Sequence, residues 1–123
     1  MKLDMNLVRL ILIDLEDNPE PTKGNGEIVI DGVELETINY TLKKMVEGGL
    51  VTSDHSPMQS MSGGVYWEGL EPTWHGHQFV MAARDDKRWK QFLAKVGNAT
   101  SSVSFNVATQ ILTQLAQAQF GVV

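Results

Sequence analysis

Near the start of the chain, Leu3, Leu7, Val8, Leu10, Ile11, Leu12 and Leu15 recur at helical spacing. Placed at 100° per residue they cover an arc of roughly 200°. This predicts a helix from Asp4 to about Asp17, with Asp4 as its N-cap. The arc is wider than one contact face requires, so a second element or a second subunit is expected over the excess. Asn18–Gly26 is loop chemistry: Pro19 and Pro21 end the helix and Gly24 and Gly26 supply turns. Glu27-Ile28-Val29-Ile30 reads as a short β-branched strand closed by Asp31-Gly32.

A second helical period runs from about Val33 to Glu47. Leu35, Ile38, Leu42, Met45 and Val46 form its expected buried stripe, while Glu36, Tyr40, Lys43, Lys44 and Glu47 point away. Gly48-Gly49 suits a left-handed C-terminal cap. Strands at Leu50–Ser53 and Val65–Leu70 would flank the Asp54–Gly64 loop, with Pro72 ending the second and Thr73 capping a helix from Trp74. Continued to Val96 as one helix, that last segment would set Asp86 among Phe79, Ala82, Trp89, Phe92, Leu93 and Val96. An unpaired carboxylate there would cost several kcal/mol, so a bend near Arg84-Asp85-Asp86 is expected, with an aspartate capping the second piece. Gly97–Ser102 is a linker. Ser104 caps the last helix, with Val107, Ile111, Leu115 and Ala118 on one face and Gln110, Gln114 and Gln117 on the other. No internal repeat is present.

This order predicts an α+β fold: a winged-helix-like core (helix, short strand, helix, two-stranded wing) over residues 1–75. A helical extension, 76–123, would pack on it to make a single compact domain. Between Ile30 and Gly48 there is room for one good helix, so the first helix of a helix-turn-helix must be stunted or missing.

The chain has 123 residues and no cysteine, which removes disulfides and thiolate chemistry and is compatible with a reducing cytoplasm. Its start does not read as a secretory leader, and no uncharged apolar run approaches the roughly 20 residues that span a bilayer. A cytoplasmic protein without membrane contact is expected. The net charge of −5 is unevenly laid out. Residues 1–83 hold five Lys/Arg against thirteen Asp/Glu, a net of −8; residues 84–95 hold five against two, a net of +3. From Val96 onward there is no charged side chain. An acidic body disfavours non-specific duplex binding, because phosphate neutralisation supplies most of that affinity.

Candidate chemistry is sparse. His75 and His77, two apart at a helix start, point about 200° away from each other and cannot share an ion there. The carboxylate pairs Glu34/Glu36, Asp14/Asp17 and Asp85/Asp86 are better read as solvated charge or caps than as acid–base machinery. No phosphate-binding glycine motif and no GxSxG occurs. No catalytic residue, cofactor or metal is therefore expected. Contact with nucleic acid or a partner falls to two groups: Asn39, Tyr40, Lys43 and Lys44 on the second helix, where a winged helix carries its groove-reading helix, and the basic stripe Arg84, Lys87 and Arg88. Glu36 and Glu47 oppose phosphate on the first of these, and the loop offers no Lys or Arg. The charge depletion of the last helix is that of an interface core. It points to a homo-oligomer built through the first and last helices.

Several segments taken together carry a resemblance: Met1–Arg9, Ile38-Asn39-Tyr40, Gly48-Gly49-Leu50-Val51, Leu70-Glu71-Pro72-Thr73-Trp74-His75-Gly76-His77-Gln78-Phe79 and Ala82-Ala83-Arg84-Asp85-Asp86. Nearly end to end, the chain resembles the uncharacterised bacterial and phage family known as domain of unknown function 2513. Where that family usually has Leu before Thr-Trp, this chain has Pro72. The resemblance implies a small bacterial or prophage-borne protein, winged-helix-like, with no established activity and no catalytic residues to carry over. The functional expectation is a phage or prophage winged-helix-like module acting as a DNA-associated regulator. The alternative is a protein-interaction module, such as a phage inhibitor of a host factor, working through the uncharged helix or the loop.

Overall fold

The computed structural model describes residues 2–54, 58–59, 65–97 and 103–121. Among them are α1 (Met5–Asp17), α2 (Leu35–Glu47), β1 (Val51–Thr52), β2 (Met58–Gln59), β3 (Val65–Tyr66), β4 (Glu71–Pro72), α3 (Trp74–Ala83), α4 (Asp86–Val96) and α5 (Phe105–Gln119). The chain is an α+β protein. The cap at Asp4 forms as expected: its carboxylate accepts from the Asn6 amide at 2.9 Å. Helix α1 lies between α2 on one side and α3 with β4 on another. Most of its wide apolar arc is thus covered within one chain, with Leu7, Val8, Ile11, Leu12 and Leu15 buried and Leu10 left exposed. Within one chain α1 and the last helix do not bury each other, because α5 packs on α3 and α4 instead.

The expected strand at Glu27–Ile30 is replaced by a single 3₁₀ turn, Asn25–Glu27, followed by extended chain. The cause is tertiary. The Asn25 side chain is buried, donating to Asn39 Oδ1 at 2.7 Å and accepting from the Trp67 amide at 3.1 Å, which holds the chain in a turn. Only Ile28 of the β-branched run is buried, and Val29 is 79% exposed. Strand propensity counts for little without a sheet to join.

Helix α2 starts two residues later than the periodicity suggests, so Leu35 is exposed and Thr41 joins Ile38, Leu42 and Met45 inside. Thr41 satisfies its hydroxyl on the Thr37 carbonyl at 2.8 Å. The helix ends as the paired glycines predict. Gly49 takes a φ of 78°, its amide reaches Val46 O at 3.1 Å, and the Leu50 amide reaches Met45 O at 2.9 Å. Buried Met45 and Leu50 complete this Schellman closure.

The hairpin is shorter than expected and split in two. β1 pairs antiparallel with β4 at its base (Val51 opposite Pro72), and β2 with β3 further out (Met58 opposite Tyr66). Between them, among the described residues, two donors of the returning strand serve the loop after α1. The Trp67 amide goes to Asn25 Oδ1, and the Leu70 amide to Lys23 O at 2.9 Å. Among the described residues a rung runs from the Asp54 amide to Glu68 O at 2.9 Å.

Thr73 caps α3, its hydroxyl accepting from the Gly76 amide at 3.1 Å. Gly76 lies against the Leu50 carbonyl so closely that a Cβ would overlap the oxygen. The expected bend also forms: Asp85 caps α4 by accepting from the Arg88 amide at 2.8 Å, and Asp86 turns out to solvent. Arg9 of α1 braces this corner, donating to Ala83 O (2.6 Å), Arg84 O (3.0 Å) and Asp86 Oδ1 (2.7 Å). Below it Trp89 stacks on Phe92 (4.9 Å between centroids) and meets Phe79 edge-on (6.3 Å).

Helix α5 is capped by Ser104, whose hydroxyl accepts from the Val107 amide at 3.2 Å. Its face is turned by about one residue from the expected register. Ala108 and Leu112 are enclosed, Ile111 and Leu115 are half-buried, and Val107 and Ala118 are exposed. The first ring of α5, Phe105, lies on Gly48, where a Cβ would clash. Of the expected linker, all but Gly97 lies outside the described residues.

Candidate interaction surfaces

The exposed side of α2 follows from its amphipathic period, but its polar residues are less available than the sequence suggests. Asn39 accepts from Asn25 and so joins α2 to the loop and the hairpin. Lys44 is 3.3 Å from Glu47 and its ammonium lies 5.8 Å from the Tyr40 ring. Lys43 is exposed, and among the described residues nothing ties it. The flanking Glu36 and Glu47 are exposed as well.

The basic stripe does not form one surface. Arg84 is held by both Asp17 oxygens, at 3.0 and 3.2 Å, and this hydrogen bonding raises its pKa further above the ordinary value. Arg88, expected on the wet face, is 5% exposed. It donates to Ala82 O at 2.9 Å and to Gln119 Oε1 at 3.0 Å. The bend at Asp85 causes this: starting a new helix there turns Arg88 toward α3 and α5. Asp85 itself is held below its usual carboxylate range, first by the hydrogen bond from the Arg88 amide. Of this group only Lys87 is exposed and free of described partners. Lys23, too, is inside, with Asp14 at 3.4 Å and the Asn18 carbonyl at 3.3 Å.

The histidines part as their spacing requires. His77 Nδ1 lies 2.9 Å from Glu16 Oε1, tying α3 to α1, while the ring stacks obliquely on Trp74 at 5.5 Å. His75 turns elsewhere, with its Nε2 enclosed and without a partner among the described residues. An open acidic cleft of about 440 Å³, flanked by Glu16, Glu20, Asp54 and Glu71, separates the end of α1 from the hairpin base. At its edge the Glu20 carboxyl is raised and that of Glu27 lowered, because the two share a hydrogen bond.

A different surface lies between α3 and α5. Trp74, Gln78 and Met81 of α3 face Thr109, Thr113 and Ala116 of α5 across an open groove of about 380 Å³, completed by Arg88 and Phe120. Trp74 is 72% exposed, Met81 61% and Phe120 72%. Neither helix carries an Asp, Glu, Lys or Arg. The sequence pointed here only through its charge-free tail. The α3 contribution was hidden because Trp74 and Met81 are ordinary core residue types.

Among the described residues, helices α1–α5 and two short strand pairs, with no helix long and apolar enough to cross a membrane, define a small α+β protein. The chain belongs to the family described as "Hypothetical protein (DUF2513)", which it matches over residues 2–102. That match ends before α5. An uncharacterized protein of Haemophilus influenzae is similar to it, 27% identical over 115 residues, spanning 90% of this chain and 92% of the relative. No solved structure matches.

Proposed function

We propose that this protein is a protein-interaction module on a winged-helix-like scaffold, with the α3–α5 groove as its contact surface. The observation that carries the reading is the cluster of three large, exposed apolar side chains, Trp74, Met81 and Phe120, around one groove between two helices that carry no Asp, Glu, Lys or Arg. Exposed apolar patches rimmed by polar residues mark sites of association. The scaffold part rests on element order: α1, a one-turn remnant at Asn25–Glu27, α2, then a β hairpin. That is the succession of a winged helix whose second helix has shrunk to a turn.

The rival reading, a DNA-associated regulator, draws less support. Asn39 and Arg84 are engaged within the fold, Arg88 is buried, and Lys44 pairs with Glu47. This leaves Tyr40, Lys43 and Lys87 of the expected contacts, only two of them cations and too few to offset an acidic body against phosphate.

Site-specific photocrosslinking in cells tests the choice. A photoreactive residue at Met81 should give a discrete, protease-sensitive adduct, and one at Lys43 should not. A nuclease-sensitive adduct at Lys43, with a mobility shift of pooled duplex DNA at low salt that Lys43→Ala with Lys44→Ala abolishes, would replace this reading with the regulator. Leu112→Ala, which opens the core beneath α5, serves as the folding control; Phe120→Ala should leave stability within about 0.5 kcal/mol of the parent.

A further inference from the structure

The groove contains one formal charge. Arg88 lines it, is nearly enclosed, and has no carboxylate within ion-pair distance among the described residues. Its guanidinium offers five N–H donors. Two are used, both on neutral oxygens (Ala82 O and Gln119 Oε1), and the Nε is enclosed without a partner. Asp85, the N-cap of the same helix, takes its hydrogen bond from the Arg88 backbone amide; its carboxylate feels the guanidinium's charge but lies beyond ion-pair distance of it. A buried cation satisfied only by neutral acceptors is costly and gains most from an anionic partner. The Phe120 ring lies 5.8 Å from the guanidinium carbon and is largely exposed, so turning it aside sacrifices little packing.

The shape of the groove narrows the occupant. Trp74 and Met81 are seven residues apart, roughly 10 Å along α3; Thr109, Thr113, Ala116 and Phe120 follow a helical stripe of roughly 16 Å along α5. An open trough of this length between two helices fits another helix, anchored at i, i+4 and i+7 positions, better than a compact metabolite. With a positive charge in the trough and no acidic residue on either wall, complementarity favours an acidic segment. The rest of this acidic chain would repel such a segment.

We infer that the α3–α5 groove binds an acidic amphipathic helix of a partner protein, whose apolar side chains bed on Trp74, Met81 and Phe120 and whose carboxylate pairs with Arg88. This rests on the groove being the partner site and adds the chemistry of what enters it.

The test uses the full chain as bait for an mRNA-displayed library of randomised peptides of about 14 residues, the span of four helical turns. Clones retained by the wild type but not by Trp74→Ala with Phe120→Ala should be helix-forming, with Leu or Phe anchors and a central Asp or Glu. In a selected clone, replacing that carboxylate by its amide should weaken binding to the wild type roughly tenfold, as loss of one charge-assisted contact does. Arg88→Met should bind the acid and amide peptides equally. If that variant does not fold, the peptide pair on the wild-type chain still decides. Enriched peptides with no acidic preference, bound equally as acid and amide, would overturn the carboxylate pairing and leave the groove reading intact. Enrichment unaffected by Trp74→Ala with Phe120→Ala, or none at all, would overturn both. A concentration-dependent dimer dissolved by Phe120→Ala would make a second copy the occupant and end the proposal.

Discussion

The exposed face of α2 and the α3–α5 groove reverse each other's appearance in the sequence. The α2 face is dense in polar and charged residues, the usual marks of recognition, yet Asn39 is engaged with Asn25 and Lys44 with Glu47. Neither α3 nor α5 holds a charged residue, yet their groove exposes Trp74, Met81 and Phe120 and borrows one under-used guanidinium, Arg88, from α4. Polar groups that find intramolecular partners stop being available, whereas apolar groups on a surface have nothing to satisfy them but another molecule. Availability, rather than residue type, separates the two surfaces.

The strongest way to break the comparison is to dislodge a groove wall. Gly76→Ala would drive a Cβ into the Leu50 carbonyl, which is backbone and cannot turn aside. The expected loss is about 3 kcal/mol or outright misfolding, measured as a drop in the urea midpoint. A variant as stable as the parent would mean that α3 is not seated as described. The α2 face gives a smaller and more discriminating contrast. Asn39→Ala removes one buried hydrogen bond, that from the Asn25 amide, and should cost about 1–2 kcal/mol, while Lys43→Ala should stay within about 0.5 kcal/mol. Equal effects in chemical denaturation would erase the distinction drawn between a structural and a free side of the helix.

The smallest effect concerns the corner that buries Arg88. The folded-state pKa of Asp85 lies below the ordinary aspartate value, chiefly through the Arg88 amide. Its contribution is therefore present above the unfolded pKa and fades as pH falls through the folded one. Stability measured from pH 5 downward should decline through and below the ordinary aspartate range. Asp85→Asn should flatten that part of the decline, and an unchanged acid profile would show that the cap carries no linkage.

Much of the local architecture was legible in the sequence. Asp4, Thr73, Asp85 and Ser104 each cap the helix they precede, because capping is a short-range competition for the first free amides. The paired glycines end α2 for an equally local reason, and the misfit of Asp86 on a single apolar face gave away the bend between α3 and α4. Legibility failed wherever a partner distant in the chain decides. Glu27–Ile30 has strand composition, but buried Asn25, bonded to Asn39 and Trp67, turns the chain there instead. The register of α5 could not be read from its own period, since Val107, Ile111 and Leu115 are as apolar as the Ala108 and Leu112 that the core admits.

The site divides along the same line. Sequence alone supplied the ingredients: an acidic body, a basic patch after residue 83, and a terminal helix without charge. It could not assign them, because charge on a helix reads the same whether it meets water, an intramolecular carboxylate or a carbonyl. Tertiary structure gave Arg84 to Asp17, turned Arg88 inward beneath Gln119 and Phe120, and set α5 against α3 so that Trp74 and Met81 face outward beside it. Helix ends are fixed by neighbours a few residues away, whereas burial is fixed by elements that meet only when the chain has closed.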